Sequence, residues 1–150
     1  MKQMVQRLNA EQTRQVIRDL VPQGLCRYAI PEPVSAARME EVCTGMAASP
    51  TGRAYGWFDK SVTPRAILVG LVMPDPFTGN KHGFEHVWWT SVPGKPALEL
   101  MRAFEDDCIK EGCTRVTFGC SHYVTRAHKT MSLYHRLGYE PYNTSFSKEL

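Results

Sequence analysis

Apolar positions first fall into a helical period after Asn9. Val16, Ile17 and Leu20 share one face, Asn9 and Gln12 have the spacing of a capping box, and Pro22 and Gly24 follow. This predicts a helix over Asn9–Leu20. Ala36, Met39, Cys43 and Met46 then recur every three or four residues between Pro33 and Ser49-Pro50-Thr51-Gly52, giving a second helix over residues 34–47. Beyond it the period shortens: Tyr55-Gly56-Trp57-Phe58 and Ala66–Met73 are short β-prone runs, separated by Asp59-Lys60 and Pro64, that read as an antiparallel pair. A run of turn formers, Pro74–Gly83, places His82 in a hairpin loop and leads into a central strand over Phe84–Thr90. Strict alternation along that strand sends Glu85 and His86 to opposite faces.

After the corner Val92-Pro93-Gly94-Lys95-Pro96, the residues Ala97, Leu100, Met101, Phe104 and Cys108 line one face of an amphipathic helix that Gly112 stops. Val116, Phe118 and Cys120 alternate with Arg115, Thr117 and Gly119, so strand, helix and strand make a right-handed crossover with a parallel pair. A last helix over about 126–137 turns Ala127, Met131, Tyr134 and Leu137 or their neighbours inward and ends at Gly138; Tyr139–Tyr142 and Ser145–Glu149 read as two final strands. No repeat or long linker divides the chain. The order predicts one α+β (mixed α/β) domain over residues 1–150, with a mostly antiparallel twisted sheet of six to seven strands, one parallel crossover and about four helices.

Composition narrows the function classes. A 43% hydrophobic share of 150 residues is enough for a real core. Eighteen Lys and Arg against 15 Asp and Glu leave a net charge of only +3, dispersed along the chain, which disfavours a dedicated nucleic-acid binder. No apolar run approaches the ~18 residues of a membrane span. Five cysteines, an odd number behind a start without an apolar signal segment, point to reduced thiols and a cytoplasmic location. Their spacings of 17, 65, 5 and 7 residues fit no zinc pattern, even with His122 two positions after Cys120, so no metal site is expected.

The last sixty residues carry a resemblance. The strand end VWWTSVP runs into ALELMRAFEDDCIKEGCTRVTF. Later, Ser132-Leu133-Tyr134-His135-Arg136-Leu137-Gly138-Tyr139-Glu140-Pro141 is followed by a terminal Phe146–Leu150. This stretch resembles the GCN5-related N-acetyltransferases, the GNAT family, particularly small members of the sort found in phage genomes. The resemblance implies a fold in which the strands holding residues 84–90 and 115–120 splay apart around the pantetheine arm of acetyl-CoA. The next helix then points its N-terminus at the pyrophosphate, where unpaired N–H groups attract a dianion. Relatives build that turn as Gln/Arg-x-x-Gly-x-Gly/Ala. Here Val92, Lys95 and Ala97 occupy those positions, a one-residue deletion brings Gly94 to the glycine, and Pro93 and Pro96 remove two donors. Lys95 supplies a charge in compensation. Val87 and Trp89, with Trp88, are implied to offer backbone N–H groups near the thioester carbonyl. Tyr134 matches the family's general acid, and Glu85 is the candidate base, with His86 behind it. Ala127 stands where relatives carry a cofactor-contacting Asn, and Arg126, His128 and Lys129 form a small basic group beside it.

The implied function is acetyl-CoA-dependent transfer of an acetyl group, by direct attack, to a primary amine of a small molecule or protein. The alternative is a catalytically inactive protein of the same fold, acting as a structural, assembly or inhibitory partner, with Trp57, Phe58 or Phe77 in a protein interface. A homodimer is compatible with either reading, and so is the cytoplasm of a host cell if the chain is phage-encoded.

Overall fold

The computed structural model describes residues 4–27, 32–120 and 127–150. The chain begins with strand β1 (Val5–Arg7), followed by helix α1 (Ala10–Leu20). The capping box is present: the Asn9 side chain accepts from the Gln12 N–H, and the Gln12 side chain accepts from the Asn9 N–H. Helix α2 (Ala36–Ala48) starts at Ser35, whose hydroxyl accepts from the Arg38 N–H. Strands β2 (Gly52–Phe58), β3 (Pro64–Pro74) and β4 (Lys81–Thr90) form an antiparallel meander; helix α3 (Lys95–Lys110), strand β5 (Arg115–Thr117) and helix α4 (Ala127–Arg136) complete the order. The sheet runs β1-β2-β3-β4-β5, and only β4 and β5 are parallel.

Two cores sandwich the sheet. On one face Ile17 and Leu20 of α1 and Cys43 of α2 pack with Ala54, Ile67 and Val69. On the other, Leu100, Phe104 and Cys108 of α3 pack with Tyr55, Leu68 and Val72. Alternation in β2 and β3 thus feeds both layers, as a sheet covered on both faces requires.

Several expectations need correction. Strand β4 begins at Lys81, so His82 is not a loop residue but a strand residue only 6% exposed. The sheet has five strands among the described residues rather than six or seven. Residues 139–150 carry no ladder: β5 pairs over three residues only, and the tail meets it through side chains, with Arg115 stacked on Tyr142 and Phe118 against Tyr139. Of the set expected to face inward from the last helix, Met131 and Leu137 are exposed, while Tyr134 and the neighbouring Leu133 are half-buried.

Strand β4 also breaks strict alternation. Val69 pairs with Val87 and Gly70 with Glu85, so His86 is an extra residue, a β-bulge. Gly70 makes room for it: a Cβ there would come within 2.7 Å of the Phe84 carbonyl oxygen and 2.8 Å of the Phe104 ring. As a result His86 and Val87, consecutive residues, both line a groove against α2. Glu85 and Trp88 lie on the opposite, α3–α4 side, with Gly119 and Tyr134.

Candidate active site

The parallel pair opens like a V. Strands β4 and β5 are in register only over His82–Phe84 and Arg115–Thr117, so the Glu85–Thr90 edge has no strand beside it among the described residues. Just past the junction, the Gly119 N–H donates to Glu85 Oε2 at 3.0 Å, pinning the chain leaving β5 onto β4. Burial pushes the Glu85 carboxyl above the ordinary glutamate range, and the Gly119 N–H pulls the other way.

Tyr134 closes the same face. Its hydroxyl donates to the Gly119 carbonyl oxygen at 2.7 Å. Its ring stacks on Trp88, with centroids 5.9 Å apart, and touches Phe118 and Tyr139. Burial raises the phenol's pKa, and the nearby Glu85 charge adds to this. The proton is therefore held at neutral pH, the state an acid must start from. Glu85 and Tyr134, far apart in sequence, thus meet through one residue, Gly119.

The corner after β4 sits at the open end of the V. Gly94 is the residue before α3, with φ +85° and ψ −121°, in open space. The Ser91 N–H donates to the Arg65 carbonyl and the Val92 N–H to Thr90 Oγ1; Pro93 and Pro96 have none to give. Gly94, Lys95 and Ala97 remain as the donors this helix start can offer an anion. Lys95 is not a free cation: its ammonium pairs with Glu99 at 3.1 Å, a carboxylate that also accepts from the Trp57 indole at 2.6 Å. The side chains of Val87 and Trp89 pack into the α1–α2 core, so any contact they make in the V is through the backbone.

Trp88 has a larger part than the motif suggests. Its indole N–H donates to the Ala97 carbonyl at 3.1 Å while its ring lies on Tyr134, so one side chain joins the start of α3 to α4. Gly119 is the other residue that motif reading misses, because it acts only through its backbone. The period-2 pattern of β4 hinted at Trp88, but nothing in the sequence pointed to Gly119.

The groove on the α2 side has a volume of about 420 Å³. Val34, Met39, Val42 and Met46 form one wall, and His86 and Val87 form the other. Arg126, from the suggested basic group, and His122 lie outside the described residues. Of the three aromatics suggested for an interface, Phe77 is 95% exposed, Phe58 packs on the α1–α2 core, and Trp57 is tied to Glu99. No group of metal-ligating side chains occurs among the described residues, and no helix there is long and apolar enough to cross a membrane.

No protein-family model matches the sequence, and no curated protein matches it either. Solved structures do match along nearly the whole length. A ribosomal-protein-alanine N-acetyltransferase from Brucella melitensis superposes with a TM-score of 0.69 at 12% identity, covering 97% of both chains. An aminoglycoside acetyltransferase from an uncultured soil metagenomic sample gives 0.71 at 10% identity, again covering 97% of both chains. Glucosamine-6-phosphate N-acetyltransferase from Arabidopsis thaliana gives 0.67 at 14% identity, covering 97% of this chain and 96% of the other. The chain has the fold of the GNAT acetyltransferases. At these identities the likeness is one of fold, and nothing in these three neighbours supports the likeness to phage members.

Proposed function

We propose that this protein is an acetyl-CoA-dependent N-acetyltransferase acting on a primary amine by direct attack. The observation that carries the reading is the meeting of Glu85, Gly119 and Tyr134 where β4 and β5 part. It sets a protonated phenol and a carboxyl group beside an open strand edge. Acetyl-CoA, when bound, brings the thioester whose acetyl group is transferred. The N–H groups of Gly94, Lys95 and Ala97 suit its pyrophosphate, and Val87 and Trp89 present the backbone beside which the pantetheine arm fits. Tyr134 keeps its proton at Oη and is the donor for the departing thiolate, exchanging its bond to the Gly119 carbonyl for one to sulfur. Glu85, with its raised pKa, is the group that takes the amine's proton, through water along the open β4 edge that both faces share.

Binding tests this first. Acetyl-CoA and CoA should each raise the melting temperature and give saturable heats in calorimetry; a ligand at a hundred times its Kd stabilises the native state by about 2.7 kcal/mol. No shift at millimolar acetyl-CoA overturns the reading.

A second reading, a non-catalytic partner protein with the same fold, draws support from the Lys95–Glu99 pair and the two prolines in the phosphate turn. It requires that acetyl-CoA fail to bind and that substituting exposed Phe77 weaken a protein complex.

A further inference from the structure

We infer that the groove between α2 and the β4 bulge is the acceptor site, and that it takes a primary amine on an apolar body rather than a polycation or a sugar phosphate. This rests on the acetyltransferase reading and adds the substrate class.

The position comes from the bulge. His86 and Val87 face the groove while Glu85 and Trp88 face Tyr134, so one short segment of β4 is the shared wall of both spaces. That segment is also the part of β4 whose edge is open towards β5. An amine held against His86 from the α2 side reaches the same edge that Tyr134 approaches from the other face.

The class comes from the lining. A volume of about 420 Å³ is that of a small-molecule site. Met39, Met46 and Val87 make its walls apolar, and the Cys43 thiol between them, pushed up to about 11 by burial, is uncharged at neutral pH. No Asp or Glu is among the described residues that line it, so an aminoglycoside-like polycation finds no counter-charge. Arg38, the one guanidinium among the described residues that line it, is turned to solvent and paired with Glu41 at 2.8 Å, so a phosphate finds no buried guanidinium among them. His86 and the Ser35 hydroxyl, which already accepts from the Arg38 N–H, are left as the polar contacts for the amine, and methionines give the wall a surface that adapts to alkyl or aromatic shapes.

The test uses the full chain with acetyl-CoA and three acceptors: phenethylamine, kanamycin and glucosamine-6-phosphate. CoA release and calorimetric binding of each amine in the presence of CoA are both followed. Phenethylamine is expected to show kcat/KM at least tenfold above the other two and to bind saturably. Val42→Lys, at a rim position 43% exposed, is expected to cut phenethylamine binding about tenfold by setting a like charge beside the ammonium, while leaving the acetyl-CoA melting shift intact. Equal or better turnover of kanamycin or glucosamine-6-phosphate overturns the substrate class and leaves the acetyltransferase reading standing. So does phenethylamine binding that Val42→Lys leaves unchanged. Loss of acetyl-CoA binding by the wild-type chain brings both down.

Discussion

The Tyr134 hydroxyl donates to the carbonyl oxygen of Gly119 at 2.7 Å, and the N–H of that same Gly119 donates to Glu85. A single peptide segment therefore orients both the phenol and the carboxyl group. Tyr134→Phe removes the proton but keeps the stack on Trp88, so kcat should fall by about 10²–10⁴, the usual contribution of a positioned acid, while acetyl-CoA binding holds. Stopped-flow turnover beside calorimetry separates the two, and a loss confined to KM would remove Tyr134 from the chemistry.

Glu85 makes stability pH-dependent in a defined direction. Its folded pKa lies above the ordinary 4.5, so the folded state binds the extra proton and stability falls as pH rises from about 4.5 through the folded value. Gln at this position keeps an oxygen for the Gly119 N–H and cannot ionise. Melting curves of wild type and Glu85→Gln should therefore coincide near pH 4 and separate towards pH 7, with the variant the more stable. A gap that closes with rising pH would contradict the buried-carboxyl assignment.

The α3 corner separates backbone from charge. Gly94→Ala has space but the wrong φ, so it should cost about 1–3 kcal/mol in urea unfolding and weaken acetyl-CoA binding by disturbing the N–H array. Lys95→Ala breaks an exposed i,i+4 pair worth about 0.3–0.5 kcal/mol, so stability should barely change. Acetyl-CoA affinity should drop, and the drop should shrink as salt rises.

Gly70 sets the bulge. An alanine there meets a backbone oxygen that cannot swing aside, so Gly70→Ala should destabilise by about 1–3 kcal/mol. Because the bulge turns His86 towards the groove, amine KM should rise more than acetyl-CoA Kd. Equal effects on both would separate the bulge from acceptor binding.

Much of this architecture was legible beforehand. The capping box at Asn9, the 3.6-residue periods of α2 and α3 and the alternation through β2, β3 and β5 are local signals, and each element formed where its own side chains demanded. Tyr134 and the Gly94 corner were legible as motif positions. His82 was misplaced because turn formers dominate the run before it, whereas pairing of β4 with β3 extends the strand back to Lys81. The two tail strands were plausible from residue preference alone, but a strand exists only with a partner, and the three-residue β5 pairs with β4 alone among the described residues.

By itself, then, the sequence determined the run of elements from α1 to α4 and the helix that follows the Val92–Pro96 corner, since periodicity and capping act over a few neighbouring residues. Tertiary structure alone decided that Lys95 is engaged by Glu99, that one bulge sends His86 and Glu85 to different chambers, and that Gly119 joins Glu85 to Tyr134. Those outcomes depend on strand register and on contacts between segments distant along the chain, which no local pattern encodes.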